Sequence, residues 1–275
     1  MGDTAGGMDG TSGTADVNGA RLWYELAGDG PPLALLHAGI ADARMWDAQV
    51  EHFARRFRVL RYDARGYGRS DFPAGPFARH DDLHGLLRHL GIERVALVGC
   101  SMGGATAIDF ALTHPEMVTA LVLVAPGLGG YQWSEAMQAF DAEEEAALER
   151  GDLEAAIEMN VCFWVDGPRR TPEQVDPAVR ESVRAMMRDA STSTDGRPVR
   201  LDPPAIDRLD EIAASTLVIA GEEDVADMAA VADALVAGIA GARRVTLPGA
   251  AHLPNMERPE AFNRAVMDFL PALPA

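Results

Sequence analysis

The chain has 275 residues, 48% hydrophobic and 24% charged, which is ample material for a full apolar core. Its net charge of −18 argues against nucleic acid or an anionic membrane as a partner, and no apolar run is long enough to span a bilayer. All 24 basic residues are arginine, which excludes Schiff-base lysine chemistry, covalent pyridoxal phosphate and a Walker-type phosphate lysine.

Residues 1–15, rich in Gly, Thr, Ala and Asp, read as a disordered tail. They have neither the basic n-region nor the apolar h-region of a secretory signal, so a cytoplasmic location is expected. From Asp16 to Ala27 two short segments flank Asn18-Gly19, a strong hairpin signal. Pro31-Pro32 introduces Leu33 to His37, a continuous apolar run suited to a buried parallel strand. Met45 to Arg56 reads as a helix, with Trp46, Val50 and Phe53 on one face. Phe57 to Tyr62 is the next strand. It runs into Asp63-Ala64-Arg65-Gly66-Tyr67-Gly68-Arg69-Ser70, a turn whose Asp63 is expected to satisfy backbone amides. Arg79 to Leu90 is helical and closed by Gly91, with His80, His84 and His89 expected at the surface. Val95 to Gly99 is a strand, Ala105 to Thr113 a helix stopped by His114-Pro115, and Val118 to Ala125 another strand.

The alternation then stops. Residues 127–210 read as helical and irregular sequence only, with helices at Ser134 to Arg150, Asp152 to Phe163 and Pro177 to Asp189. Asp141, Glu143, Glu144, Glu145, Glu149, Asp152, Glu154 and Glu158, relieved only by Arg150, read as a solvated helix face. Trp133, Phe140, Phe163 and Trp164 read first as core of this insertion. The alternation resumes with a strand at Thr216 to Ala220, a helix at Ala226 to Ile239, a strand at Arg243 to Leu247 and a helix at Pro259 to Leu270. An α/β fold follows: a doubly wound, mostly parallel sheet formed by 16–126 and 211–275, with 127–210 inserted as a helical cap.

Chemistry concentrates at the carboxyl ends of the strands. Gly99-Cys100-Ser101-Met102-Gly103-Gly104 lies between a strand and a helix and has the form of a nucleophile elbow, a strained turn that lifts a serine hydroxyl above the sheet edge. The pattern alone is weak, and its context decides its value. A serine nucleophile needs a base and an acid that orients the base. His252 follows the last strand, and Asp224 follows the strand ending at Ala220. Glu222, Glu223 and Asp227 flank Asp224 and compete for the acid role, and His37 is a second histidine near the same edge. The two cysteines, Cys100 and Cys162, lack metal-site spacing; Cys100 reads as a small buried packing residue.

From Leu33 onward the chain resembles the α/β-hydrolase superfamily, in the group of small-molecule hydrolases with a helical cap. The resemblance rests on His37-Ala38-Gly39, the Asp63 to Ser70 turn, the elbow, Gly221 to Asp224 and His252, in that order. It implies an eight-stranded sheet, with Ser101 as nucleophile, His252 as general base and acid, and Asp224 as its orienting partner. It also implies an oxyanion hole made by the backbone N–H groups of Met102 and Gly39. Because Ala38 replaces the first glycine of the usual His-Gly-x pattern, Ile40 is the alternative donor. No metal or organic cofactor is implied. The expected partner is a small, largely apolar ester or lactone, cleaved through an acyl-enzyme.

Sister activities separate by residue. Haloalkane dehalogenases and epoxide hydrolases place an aspartate where this chain has Ser101. Proline iminopeptidases usually show His-Gly-Gly-Pro-Gly, and ring-cleavage carbon–carbon hydrolases a Gly-Pro-Gly, where this chain reads His37-Ala38-Gly39-Ile40-Ala41. Esterase or enol-lactonase-like activity is expected. The alternatives are a serine-dependent perhydrolase or haloperoxidase-like enzyme and, from another class, a hydrolase-fold ligand receptor.

Overall fold

Asn18 and Gly19 both take positive φ, 47° and 79°, and close a two-residue turn between strands β1 (Thr11–Val17) and β2 (Ala20–Ala27). The computed structural model describes residues 10–190 and 196–270, so the first nine residues of the expected tail lie outside the described residues. Residues 11–15 of that tail are strand instead. The alternation there is carried by small residues, with only Ala15 and Val17 buried, and the Tyr24 hydroxyl lies so close over Gly13 that a Cβ would sit 2.8 Å from it. Gly, Ser and Thr composition hides such a strand from its sequence.

The remaining strands are β3 (Pro32–Leu36), β4 (Arg58–Tyr62), β5 (Gly75–Phe77), β6 (Val95–Cys100), β7 (Val118–Val124), β8 (Gly196–Pro198), β9 (Ser215–Gly221) and β10 (Arg243–Leu247). Eight of the ten described strands form one sheet in the order β1-β2-β4-β3-β6-β7-β9-β10. The pairs β1/β2 and β2/β4 are antiparallel and the rest parallel. All six residues of β6 are buried, as a central strand covered on both faces requires.

Helices cover the two faces. On one side α1 (Asp47–Phe53) and α9 (Pro259–Phe269) pack Trp46, Phe53, Phe262 and Val266 against the sheet. On the other, α2 (Arg79–His89), α3 (Met102–Thr113) and α7 (Ala226–Gly238) contribute Leu83, Leu86, Ile108, Phe110, Val231 and Leu235. Each such side chain, fully buried, contributes about 1.5–3 kcal/mol. His80 of α2, expected at the surface, is 7% exposed, because it shares the buried helix face of Leu83 and Leu87.

After β3 the chain moves outward to β4, and after β6 it moves the other way to β7. The crevice between the carboxyl ends of β3 and β6 is therefore the topological switch point, the place where open α/β sheets bind ligands.

Between β7 and β9 lie α4 (Glu135–Glu149), α5 (Leu153–Asn160), a π-helical turn at Val161–Asp166 and α6 (Pro177–Asp189). Ser134, Asp152 and Asp176 cap the three helices by accepting backbone N–H bonds. The insertion is not wholly helical: β8 pairs in parallel with β5 as a small separate ribbon. The three residues of β8, Gly196-Arg197-Pro198, carry too little pattern to be read. The acidic face is exposed as expected, though Arg150 is not its only relief: Glu154 pairs with Arg188 and Glu158 with Arg180 and Arg184 of α6. A short α8 (Pro254–Glu257) precedes α9.

Candidate active site

The elbow is built by close approaches that only glycine permits. A Cβ on Gly99 would overlap the Gly103 carbonyl, and one on Gly103 would overlap the Leu36 carbonyl of β3. Between them Ser101 is held at φ 51° and ψ −112°, a strained backbone state for an L-residue. Three hydrogen bonds hold it there: Ser101 N–H donates to Val124 O at 2.9 Å, and Ser101 O accepts from Ala105 and Gly127 at 2.9 and 3.0 Å. Ser101 occupies the N-cap position of α3, and the Met102 amide opens the helix, where the first N–H groups have no intrahelical acceptor.

Gly39 approaches this helix end. A Cβ built on it would lie 3.7 Å from both the Met102 Cβ and the Tyr67 hydroxyl. Gly39 and Ile40 are the central residues of a turn closed by Ala41 N–H donating to Ala38 O at 3.1 Å, which leaves their own amides directed out of that bond.

His252 and Asp224 meet as the sequence pattern expects. The His252 Nδ1 lies 2.9 Å from Asp224 Oδ2, with the two residues 2% and 5% exposed. With a carboxylate as acceptor, Nδ1 carries the proton and Nε2 does not. Asp224 Oδ1 accepts the Val225 N–H at 2.8 Å, which fixes the carboxylate plane. No hydrogen bond joins Ser101 Oγ to the imidazole among the described residues; such pairs commonly tighten only with substrate in place.

The competing acids are engaged elsewhere. Glu222 accepts the Gly249 N–H at 3.2 Å, and Glu223 accepts from Arg169 at 2.9 Å. Asp227 accepts both the Ser134 N–H and hydroxyl, at 2.9 and 2.7 Å, and so ties the start of the cap to α7. His37 is likewise structural: Nδ1 donates to Ala38 O at 2.8 Å while Nε2 accepts from Ala64 N–H at 2.9 Å. Burial holds its pKa below the usual histidine value. Asp63 accepts the Ala43 and Arg69 amides, both at 2.9 Å. Cys100 is fully buried, and that burial pushes its thiol well above the usual range, as a packing residue requires. Among the described residues no cluster of His, Cys, Asp or Glu could hold a metal ion.

One participant was not readable from the sequence. Trp164, on the π-turn of the cap, places its ring 4.2 Å from that of His252, and its carbonyl accepts the His252 N–H at 3.2 Å. Its neighbours Phe140 and Phe163 stack with a centroid separation of 4.0 Å. The π-turn itself is the one retrospective signal, since such turns concentrate at functional sites. Two cavities flank the elbow, one of about 430 Å³ bordered by Met102, Gly127 and Trp133, the other of about 830 Å³ by Gly39, Tyr67 and Leu153.

Residues 33–265 match the profile of the alpha/beta hydrolase family, and the chain belongs to that family. A 2-hydroxy-6-oxononadienedioate/2-hydroxy-6-oxononatrienedioate hydrolase of Paraburkholderia phymatum is 33% identical over 262 residues, 91% of each chain. A hydrolase from Pseudomonas aeruginosa superposes with a TM-score of 0.80 at 34% identity, covering 98% of this chain and all of the other. An enol-lactonase from Burkholderia xenovorans also superposes at 0.80, with 28% identity over 94% of this chain and all of its own. Among the described residues no helix is long and apolar enough to cross a membrane.

Proposed function

We propose that this protein is a serine hydrolase of small esters or lactones. The observation that carries the reading is the buried 2.9 Å contact of His252 with Asp224, at the same sheet edge as a serine strained on an elbow. In this reading His252 Nε2 takes the proton of Ser101 Oγ as the serine attacks the acyl carbon. The amides of Met102 and Gly39 hold the oxyanion, a contribution of about 3 kcal/mol per donor. The carbonyl reforms, the carbon–oxygen bond to the alcohol breaks, and His252 returns the proton to the leaving oxygen. Water, activated by the same imidazole, then releases the acid from Ser101. The 28% identical enol-lactonase supports a lactone as one form of the substrate.

A second reading is favoured by the relatives. Their 33% identity over 91% of the chain points to hydrolysis of a 2-hydroxy-6-oxo-dienedioate of the kind they are named for. The loop His37-Ala38-Gly39-Ile40-Ala41, which lacks Gly-Pro-Gly, places this reading second.

The test is turnover of a panel of aryl esters, lactones and the oxo-dienedioate by the wild type, Ser101→Ala and His252→Ala. Loss of about 10⁴-fold or more in both variants, with circular dichroism unchanged, is expected. Ester turnover that survives Ser101→Ala overturns the serine mechanism. A higher kcat/KM for the dienedioate than for any ester or lactone puts the second reading first.

A further inference from the structure

Arg79, the first residue of α2, carries a guanidinium whose Nε is shut off from water and has no hydrogen-bond partner. Its charge is also unmatched, since among the described residues no carboxylate lies within ion-pair distance. Arg79 as a whole is half-buried, and the more deeply buried arginines differ from it. Arg65 is held by Asp82, Arg170 by Glu257 and Arg180 by Asp166, with side chains 4%, 9% and 8% exposed. A cation taken from water without a carboxylate is costly, and folds normally pair such groups. The Cζ of Arg79 lies 5.4 Å from the centroid of the Phe77 ring, which it shares with Arg65 at 4.9 Å. Its charge and a side-chain hydrogen bond with the Tyr67 phenol oppose the pKa rise that burial causes there.

The position of Arg79 gives the vacancy meaning. It borders both cavities beside the elbow, the one that includes Met102 and the one that includes Gly39 and Tyr67. An acyl carbonyl held at those two amides would therefore have an unpaired guanidinium within the same cleft. Among the described residues none of the nearby acids lies within ion-pair distance of it. Asp141, Glu145 and Glu149 at the wider cavity are exposed, where solvent and salt screen them, and Glu144 accepts from Asn160. Asp109 in the narrower cavity has its carboxyl pushed up to about 6 by burial, with the charges of His80, Arg200, Arg208 and Arg79 opposing the rise.

We infer that Arg79 is the carboxylate-binding residue of the substrate cleft, and that the substrate is an ester or lactone whose acyl part bears a carboxylate. This rests on the serine hydrolase reading and narrows it, because Arg79 borders both cavities beside the elbow. A guanidinium binds a carboxylate through two parallel N–H bonds, which fixes direction as well as charge.

The test compares two aryl esters of equal acyl length, 4-nitrophenyl pentanoate and mono-4-nitrophenyl glutarate, on the wild type, Arg79→Met and Arg79→Lys. Arg79→Met is expected to lower kcat/KM for the glutarate ester by on the order of 10- to 100-fold, chiefly through KM, while the neutral ester changes less than about threefold. Arg79→Lys should keep part of the preference. Equal losses on both esters, or none, overturn the assignment. A second arm does not depend on catalysis: calorimetric binding of free glutarate to the wild type and to Arg79→Met. Weaker binding to the variant supports the site even if Ser101→Ala fails to abolish turnover, and equal or absent binding to both overturns it.

Discussion

The Trp164 indole, carried by the cap, packs on the His252 imidazole at a centroid separation of 4.2 Å and a tilt of 38°, and the Trp164 carbonyl receives the His252 backbone N–H. The insertion is thus in contact with the histidine proposed as the base. An aromatic face beside an imidazole favours the imidazolium formed in the transition state, by about 1 kcal/mol or more when desolvated. Trp164→Ala should lower kcat about tenfold on an aryl ester, and Trp164→Phe much less. Stopped-flow and steady-state assays on both variants check this, and an unchanged kcat in Trp164→Ala would show the contact to be packing alone.

The choice among four neighbouring acids gives a sharper expectation. Asp224→Asn leaves the geometry but loses the charge that orients His252, and such a change costs on the order of 10⁴-fold in kcat in serine triads. Glu223→Gln removes only its bond with Arg169 and should leave kcat within about threefold. Asp227→Asn acts on the anchor of the cap at Ser134, so its effect should fall on KM and on melting temperature. A large kcat loss in Glu223→Gln with little in Asp224→Asn would reverse the assignment.

Asp109 governs a pH effect on stability. Burial pushes its carboxyl up to about 6, whereas the unfolded chain ionises it near about 4. Between those values the folded state holds a proton that the unfolded state has lost. Stability from this group therefore falls as pH rises through the window and is constant above it. Asp109→Asn should raise stability by about 1–2 kcal/mol at pH 7.5 and by little at pH 4. Thermal melts at the two pH values measure it; an equal shift at both would assign the gain to something other than ionisation.

Gly103→Ala tests the elbow as a packing device. Its Cβ would overlap the Leu36 carbonyl, so β3 and α3 must separate. A loss of about 3 kcal/mol or more in urea unfolding is expected, with activity lost in the fraction that folds. A loss below about 1 kcal/mol would show that the approach of α3 to β3 is not tight.

The site was legible where it depends on neighbours in the chain. Ser101 is marked by a strand, a glycine-framed turn and a helix, Asp224 follows an apolar strand, and His252 follows the last strand. What distant contacts decide was not legible. Glu222, Glu223 and Asp227 differ from Asp224 only in their tertiary partners at Gly249, Arg169 and Ser134. The stacking of Trp164 on His252 joins residues 164 and 252, and the unpaired state of Arg79 is the absence of a partner that many parts of the chain could have supplied. Strand β1 was hidden for a different reason: its buried positions include only small side chains, which carry almost no hydrophobic period.

The most direct measurement of the central claim is labelling with a fluorophosphonate followed by peptide mapping. One phosphonyl group per chain on Ser101, with none on Ser101→Ala and slowed labelling of His252→Ala, is the expected result. Modification at another residue, or no modification in a preparation that turns over aryl esters, contradicts the assignment of Ser101 as the nucleophile.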